Sequence, residues 1–468
     1  MVSFILEGIA MQISKILLIA LLMTSSIFAF DLGLPFTGGQ ASYSGARNLS
    51  LAGATTASPD ANCALQVNPA GLGLIKQSGV FGTYSTTYFK ANILDDPYDE
   101  PENNYFSRFS NAGFNYRMRF KERTVVLGLN YHRWQQFDFI QDLAYTGGKH
   151  ILFNNDYVDL ENVDYSYCQS INGNLNRTSV GCATELSQGL FIGGSIQFWN
   201  GFRDCYYVSG EIIGQQTMYF HNGSTDISVF PDLTERQAVQ ENYSGINLSA
   251  GLQYCLEENL KIALSCDGPV TIRTNKDEIL ETVQDYSNYT ELINLDPDSI
   301  TRIDFQETST SYSIQRPLTL RLGGLVEKGI VSLSADLVWT DYSQMRYEKS
   351  GNQSAVTRIE HNRAIKKIYV AIIEPHVGME INIPNSSIKF RCGYAKLPKV
   401  MGRYIVKSAY MDNMGGTNMN IFGLGISFKI KDQIKVDVGY AQWAPDAKYY
   451  KETIKTNQLQ VSMTCLMP

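Results

Sequence analysis

The chain has 468 residues, of which 44% are hydrophobic and only 18% are charged, against a usual charged share of about 25%. That length suits either a few ordinary soluble domains or one large closed barrel. The formal net charge of −7 argues against a nucleic-acid-binding protein, which would carry a basic face, so no nucleic-acid partner is expected.

The chain opens on a targeting segment. Lys15 supplies a positive charge, and residues 16–23 form a short apolar run that is followed by small residues. This pattern is typical of a signal peptide rather than of a membrane-spanning helix, and we predict residues 1–29 as the signal peptide, with cleavage after Ala29. No later stretch has 18 uninterrupted apolar residues, so we predict no membrane-spanning helix. An exported chain without such a helix can still occupy a membrane as a closed β-barrel.

Residues 45–73 follow, with the sequence GARNLSLAGATTASPDANCALQVNPAGLG. The segment is rich in small residues, poor in charge, and contains Pro59 and Pro69. It stands directly before the first segment with strand character.

From about residue 78 the sequence alternates apolar and polar residues, which is the pattern of strands with two different faces. In one segment Phe114 and Tyr116 share a face, and Asn115 and Arg117 share the other. A soluble β-sandwich would show the same alternation. We predict about 14 strands, at 78–90, 111–120, 123–135, 172–186, 189–203, 243–256, 259–268, 310–326, 329–342, 368–382, 386–397, 418–430, 432–444 and 456–466.

The connections between these strands alternate in length. Turns of a few residues, such as 121–123 and 257–259, alternate with long polar connections such as 136–171 and 269–309. This alternation favours an all-β fold, a transmembrane antiparallel β-barrel of about 14 strands over residues 78–468, in the outer membrane of a Gram-negative bacterium. Such a barrel has outer-membrane lipid and the barrel-assembly machinery as partners. A soluble all-β protein is the alternative.

Several residues before the first strand carry a family resemblance. The segment resembles the N-terminal signature of FadL/TodX-type outer-membrane transporters of hydrophobic compounds, the long-chain fatty acid transport protein family. It departs from that signature at Ala52, where Gly is common, and at Pro59, where an acid is usual. The matching residues are Gly45, Ala46, Arg47, Gly53, Ala54, Asp60, Asn68, Pro69, Ala70, Gly71 and Leu72.

The resemblance implies that residues 30–77 fold inside the barrel as a plug (hatch) and close its lumen. A plug must be compact and must satisfy its own backbone groups, which favours small residues and turn formers. Hydrophobic molecules such as long-chain fatty acids or hydrocarbons would be captured among the outer loops and would leave sideways through a gap in the wall. An ordinary periplasmic tail is the alternative. The implied plug motif comprises Gly45, Arg47, Gly53, Asp60, Asn68, Pro69, Ala70 and Gly71.

Four arginines on the polar strand faces are candidates for steering a carboxylate head group within the lumen: Arg117, Arg119, Arg321 and Arg391. Alternatively, lumenal arginines form ion pairs with Asp336, Glu380 and Asp437 that hold the wall and the plug together. Apolar residues in the connection 137–153 are candidates for ligand binding.

Known catalytic and metal-binding motifs, including Gly-x-Ser-x-Gly and His-Glu-x-x-His, do not occur in the sequence. We therefore expect no enzymatic activity, no cofactor and no metal. The eight cysteines form no metal pattern, and Cys168 and Cys205 are candidates for a disulfide. Two functions compete with hydrophobic transport: a scaffold or secretion-associated barrel, and a general diffusion porin.

Overall fold

The computed structural model describes residues 43–93, 102–120, 123–153, 156–212, 214–220, 225–257, 259–287, 301–350, 355–400, 418–430, 433–445 and 452–467. The predicted signal peptide and residues 30–42 of the predicted plug lie outside the described residues.

The described residues are mostly β-strand. The three α-helices are α1 (Ala46–Ser50), α2 (Ala64–Val67) and α3 (Ala355–Ile368), and 3₁₀ helices span Pro69–Leu74 and Tyr342–Gln344. No helix in this part of the chain is long and apolar enough to cross a membrane. The strands are β1 (Gly79–Ile93), β2 (Glu102–Phe120), β3 (Arg123–Gln136), β4 (Phe139–Phe153), β5 (Asp156–Ser187), β6 (Leu190–Ile212), β7 (Gly214–Phe220), β8 (Thr225–Phe230), β9 (Asp232–Glu257), β10 (Leu260–Asp267), β11 (Val270–Asp285), β12 (Thr301–Arg316), β13 (Thr319–Lys328), β14 (Val331–Asp341), β15 (Arg346–Ser350), β16 (Ala371–Asn382), β17 (Lys389–Leu397), β18 (Met419–Ile430), β19 (Ile434–Pro445) and β20 (Glu452–Leu466).

Fourteen of these strands close into an antiparallel ring. The ring closes where β20 pairs with β1, from Leu466 opposite Gly79 to Glu452 opposite Ile93. The predicted 14-strand barrel is therefore confirmed. Its order is β1, β2, β3, β5, β6, β9, β10, β13, β14, β16, β17, β18, β19 and β20.

Short turns join neighbouring ring strands at one end of the barrel, and long connections join them at the other. The long connections contain far more β-structure than the sequence predicts, since β4, β7, β8, β11 and β12 extend the wall or form hairpins beyond it. The predicted strand 310–326 is two strands, β12 and β13, separated at Pro317 and Leu318. Proline lacks the N–H that a ladder position requires, which accounts for the break.

The barrel wall carries its apolar side chains on the outer face and its polar side chains on the inner face, the reverse of a soluble protein. Outward apolar side chains are exposed, including Phe114, Leu248 and Leu424, and the last two are 64% and 59% exposed. Inward polar side chains such as Gln253 and Gln460 are fully buried. A soluble sandwich buries its apolar face instead. The apolar face therefore contacts lipid, and the protein is a membrane-spanning barrel.

Residues 43–78, called the inner segment below, lie within the ring. Its α1 contacts β17, β18, β19 and β20, whereas α2 and the following 3₁₀ helix contact β3, β5, β6 and β9. These two groups of strands lie on opposite sides of the barrel. The inner segment therefore crosses the lumen from wall to wall.

Candidate functional site in the barrel lumen

Asn68 ties together the second half of the inner segment. Its side chain is fully buried, its Oδ1 accepts from the Ala70 N–H at 3.1 Å, and its Nδ2 donates to the Thr56 carbonyl at 3.0 Å. Pro69 then begins the 3₁₀ helix, a position that needs no N–H donor. The Asn-Pro-Ala-Gly sequence thus forms a capped turn that is bonded back to the earlier part of the segment.

Two glycines of the predicted plug motif adopt a backbone conformation that other residues avoid. Gly45 and Gly53 have φ values of 84° and 86°, in the left-handed region that favours glycine. A methyl group on Gly45 would lie 2.7 Å from the Asn62 Cβ, and one on Gly53 would lie 2.6 Å from the Tyr43 ring. Gly71 lies against Pro59 so closely that a side chain there would overlap the proline ring.

A girdle of wall glycines surrounds the inner segment. At each of these positions an added methyl group would lie within 3.1 Å of the inner segment; on Gly193 it would lie 2.5 Å from the carbonyl carbon of Pro69. Glycine therefore allows the inner segment to approach the wall backbone directly. The girdle includes one residue from each of nine strands: Gly128, Gly181, Gly193, Gly251, Gly323, Gly378, Gly393, Gly423 and Gly439.

Polar wall side chains between these glycines bond to the backbone of the inner segment. Gln253 donates to the Ala57 carbonyl and Ser265 to the Val67 carbonyl, both at 2.6 Å. The Asp336 carboxylate accepts from the Thr56 N–H at 2.8 Å, and Nδ1 of His376 lies 2.7 Å from the Ala52 carbonyl oxygen. The wall thereby satisfies backbone groups that the short helices of the segment leave unpaired.

An ion-pair network joins the inner segment to β16, β17 and β19. The Arg47 guanidinium contacts Glu380 at 3.3 Å, and Arg391 contacts both Glu380 and Asp437. Lys435 joins Asp437 at 3.0 Å to Asp60 at 3.9 Å. Burial alone would lower the pKa of Arg47, but Glu380 and Asp60 outweigh it and hold that pKa above its usual value.

A cluster of buried apolar side chains lies in the outer part of the lumen, above the inner segment and beside the buried ion pair of Arg203 and Glu241. Its buried residues come from strands on opposite sides of the barrel and from α3, which follows β15 in the chain. Trp134 and Trp199 meet edge to face at 5.2 Å between ring centroids. The cluster comprises Trp134, Leu175, Trp199, Tyr243, Val270, Ile272, Ile314, Tyr342, Met345, Ile365, Tyr369 and Ile372.

Three arginines lie at the base of this apolar cluster. Arg177 lies over the Trp199 ring at 5.4 Å, and Arg316 lies over the Trp134 ring at 4.9 Å. Arg177 and Arg321 both approach the carboxylate of Asp267, at 3.8 and 3.6 Å. Positive charge therefore exceeds the negative charge it contacts at this level.

The architecture has known counterparts. A Pseudomonas aeruginosa FadL homologue superposes with a TM-score of 0.56 at 11% identity, over 90% of this chain and 98% of that chain. The P. putida toluene transporter TodX gives 0.51 at 12% identity, over 90% and 98%, and the Ralstonia pickettii toluene transporter TbuX gives 0.51 at 13%, over 90% and 100%. No protein-family model and no curated protein matches the sequence.

The fold is that of the FadL-type channels. The resemblance drawn from residues 45–73 is thus confirmed at the level of the fold. At these identities the comparison does not assign a ligand to this chain.

The FadL-type barrel described here has a break in its wall between β16 and β17. Pairing between these strands runs from His376 to Asn382, and beyond the gap a single bond joins the Val370 N–H to the Val400 carbonyl at 3.0 Å, whereas β16 pairs with β14 from Ala371 to Ile381. Pro375, which has no N–H, lies within the unpaired stretch. Ile372 belongs to the apolar cluster, so the cluster extends to this break.

The four predicted steering arginines do not come together. Arg321 lies at the base of the apolar cluster, whereas Arg391 is buried between two carboxylates in the ion-pair network. Arg117 and Arg119 are exposed near the short-turn end of β2, where Arg117 donates to the Lys76 carbonyl at 3.0 Å. For Arg391 the contacts favour the alternative interpretation, an ion pair that holds wall and inner segment together.

Sequence reasoning missed two arginines of the site, Arg177 and Arg316. Arg177 lies on the same strand face as Ser179 and Gly181, so the alternation already placed it on the polar side. Arg316 directly precedes Pro317 and gave no comparable signal. Of the candidate loop residues, Phe137 packs against the apolar cluster. No disulfide joins the eight cysteines, all of which lie in the described residues, so the candidate disulfide between Cys168 and Cys205 is not formed.

Proposed function

We propose that the protein is an outer-membrane channel for passive transport of hydrophobic molecules, exported by the predicted signal peptide and inserted by the barrel-assembly machinery. The observation that carries the proposal is the arrangement of the lumen. An apolar cluster lies in its outer part, the inner segment crosses it below, and a stretch of β16 from Ala371 to Pro375 lacks pairing to β17 beside the cluster. A general diffusion porin has a polar, water-filled lumen instead.

We further propose that the inner segment, within the predicted plug 30–77, closes the lumen to ions. Its seven residues Gly45, Arg47, Gly53, Asp60, Asn68, Pro69 and Gly71 act by fixing its own turns and by binding the wall, whereas Ala70 lies against Gly193. Deletion of residues 45–73 is expected to convert a closed barrel into an ion-conducting one in planar bilayers. An unchanged conductance of the folded deletion variant would refute the plug assignment.

The proposed path begins at the outer mouth, where α3 packs on the apolar cluster through Ile365. A hydrophobic molecule would displace these contacts, bind among Trp134, Trp199 and Tyr243, and leave through the break beside Ile372. Its transfer from water is favourable because it buries apolar surface at each stage. No step of this path requires an energy source beyond the concentration gradient.

The preferred ligand in this proposal carries a carboxylate, as long-chain fatty acids do. Arg177, Arg316 and Arg321 lie at the inner end of the apolar cluster, and Asp267 is the carboxylate that Arg177 and Arg321 contact. An acyl chain among the aromatic residues would place its head group beside these guanidinium groups. Arginine binds carboxylates through paired N–H donors, so this position suits an anionic head group.

Quenching of tryptophan fluorescence tests the ligand class, because two of the four tryptophans lie in the apolar cluster. We expect oleate to bind the purified protein at least tenfold more tightly than oleyl alcohol, and Arg316→Gln to reduce this preference. Charge-assisted hydrogen bonds of about 1.5–3 kcal/mol set that expectation. Equal binding of oleate, oleyl alcohol and toluene would refute the carboxylate preference alone, whereas absence of binding by all three would favour a scaffold.

A further inference from the structure

Helix α3 is fixed to the rim of the barrel by one side. Asn362 accepts from the Tyr347 N–H at 2.8 Å and donates to the Tyr347 carbonyl at 3.1 Å, which anchors the helix to β15. Ile365 is buried in the apolar cluster, and Ile368 packs against it. The opposite side of the helix therefore faces away from the apolar cluster.

That opposite side forms a basic groove with β15. Arg358, Arg363 and Lys366 are exposed and line a groove of about 630 Å³ together with Arg346. The groove also contains Glu348, but its carboxylate already contacts Arg346 at 3.3 Å and accepts from Thr271.

Within the part of the chain that the structure describes, the three helical cations of the groove have no acidic partner. Over the described ranges of the chain, no carboxylate lies within ion-pair distance of Arg358, Arg363 or Lys366. Arg358 donates only to a main-chain oxygen, that of Glu348, at 3.5 Å. A concave surface with this excess of positive charge suits a ligand with more than one negative oxygen.

The groove lies at the outer rim of the ring, since Arg346 is opposite Gln315 near the end of β12 and β13 begins at Thr319, opposite Thr340 near the outer end of β14. On the adjacent wall, β14 ends at Asp341 and β16 begins at Ala371, and their outermost exposed aliphatic side chains are Leu337 and Ile373. Arg346 and Lys366 both lie a few residues beyond these strand ends. Phosphate groups of membrane lipids lie directly above the hydrocarbon, so a basic groove at the rim of a lipid-facing wall can reach them.

We propose that this basic groove binds the phosphate group of a lipid in the outer leaflet of the membrane. The guanidinium groups of Arg358 and Arg363 and the Lys366 ammonium hold the phosphate oxygens. Ile359, which is 48% exposed beside them, contacts the upper part of the acyl chains. That apolar contact, next to a lipid-facing wall, selects a lipid over free phosphate.

Native mass spectrometry of the detergent-solubilised full chain tests this inference, with phosphatidic acid as the probe and acyl-matched phosphatidylcholine as its comparison. We expect one phosphatidic acid to remain bound per chain. The double variant Arg363→Gln/Lys366→Gln should bind it roughly 30-fold more weakly, about fivefold for each cation removed. Lys328→Gln/Lys429→Gln is the matched control, because it removes two exposed cations at the short-turn end of the barrel.

Three results would overturn the proposal. The first is equal retention of phosphatidic acid and phosphatidylcholine. The second is equal weakening in the control variant, which would indicate attraction by overall charge. The third is full competition by an equal concentration of inorganic phosphate, which would assign the groove to a free anion. Unchanged heat-modifiable gel mobility confirms that each variant retains the folded barrel.

Discussion

Two pairs of adjacent glycines provide a test of how the inner segment is seated. Gly193 and Gly323 face inward, and Gly194 and Gly324 follow them in the sequence. A methyl group on Gly193 would lie 2.5 Å from three backbone atoms of Pro69 and Ala70, and one on Gly323 would lie 2.6 Å from the Thr56 Cβ. On Gly194 the closest atom would be 3.6 Å away, and on Gly324 no atom lies within 4 Å.

The size of the expected effect follows from these distances. The atoms nearest Gly193 belong to the backbone, and those near Gly323 include the Thr56 Cβ and the Ala57 N. None of these can turn aside as the end of a long side chain can, so each inward alanine destabilises the packed state of the inner segment by about 1–3 kcal/mol. The two sites contact different parts of the inner segment, and their effects should add to about 2–6 kcal/mol. We therefore expect Gly193→Ala/Gly323→Ala to raise the ratio of molecules with a displaced inner segment to molecules with a packed one by about thirtyfold or more.

Thiol labelling of Cys63 reports this ratio directly. Cys63 is fully buried in the inner segment, and burial raises the pKa of its thiol well above the usual value. The background for this assay has the other seven cysteines replaced by alanine. In that background, Cys63 of the Gly193→Ala/Gly323→Ala variant should react with a thiol reagent faster than Cys63 of the chain with both glycines, and the variant should conduct ions in planar bilayers. Gly194→Ala/Gly324→Ala should match the background in both assays. Identical labelling of the two folded double variants would refute this account of the girdle.

Three further predictions concern single residues. Asn68→Ala leaves the Ala70 N–H and the Thr56 carbonyl without their buried partner, and should lower the free energy of unfolding by about 2–4 kcal/mol in urea titrations. Arg391→Gln leaves two buried carboxylates uncompensated, with an expected loss of about 3–5 kcal/mol by the same titration; a loss below 1 kcal/mol would contradict the described network. The raised pKa of Cys63 keeps its thiol protonated in the folded state, so its labelling rate should still increase with pH above about 8.5, where an ordinary thiol in urea levels off; a plateau at the same pH in both states would contradict burial.

The ring strands could be predicted from the sequence because each has one lipid-facing and one lumenal side, which imposes a strict alternation. The hairpins beyond the ring could not be predicted in this way. The first nine residues of β12 are exposed on both faces, so no difference in polarity marks them as a strand. The break at Pro317 had a visible signal, since proline interrupts a ladder.

The candidate site was only partly predictable. The strand faces identified Asp336, Glu380 and Asp437 as partners of lumenal arginines, because all of these residues lie at lumenal positions of their strands. The same reasoning could not place Arg47 against Glu380, since the two are 333 residues apart and only the fold of the inner segment brings them together. The sequence shows glycines at lumenal strand positions, but their role follows only from the inner-segment atoms that they contact.

The way the inner segment is held also determines how it can move. Many of its bonds to the wall are hydrogen bonds from side chains such as Gln253, Ser265 and Gln460 to its backbone, and water entering the lumen could replace each of them. Replacing such bonds by bonds to water changes the free energy little, about 0.5–1.5 kcal/mol for each.

Buried leucines have no such substitute, and they form two separate contacts: Leu49 packs with Ala395, Ile421 and Trp443, whereas Leu65 and Leu72 pack with Val126 on the opposite wall. Since each contact costs several kcal/mol to expose and the two are independent, release of one half while the other stays packed requires less free energy than expulsion of the whole segment. The half that includes Leu49 adjoins β17, one of the two strands at the wall break, so its release would open a path between the apolar cluster and that break without removing the rest of the segment.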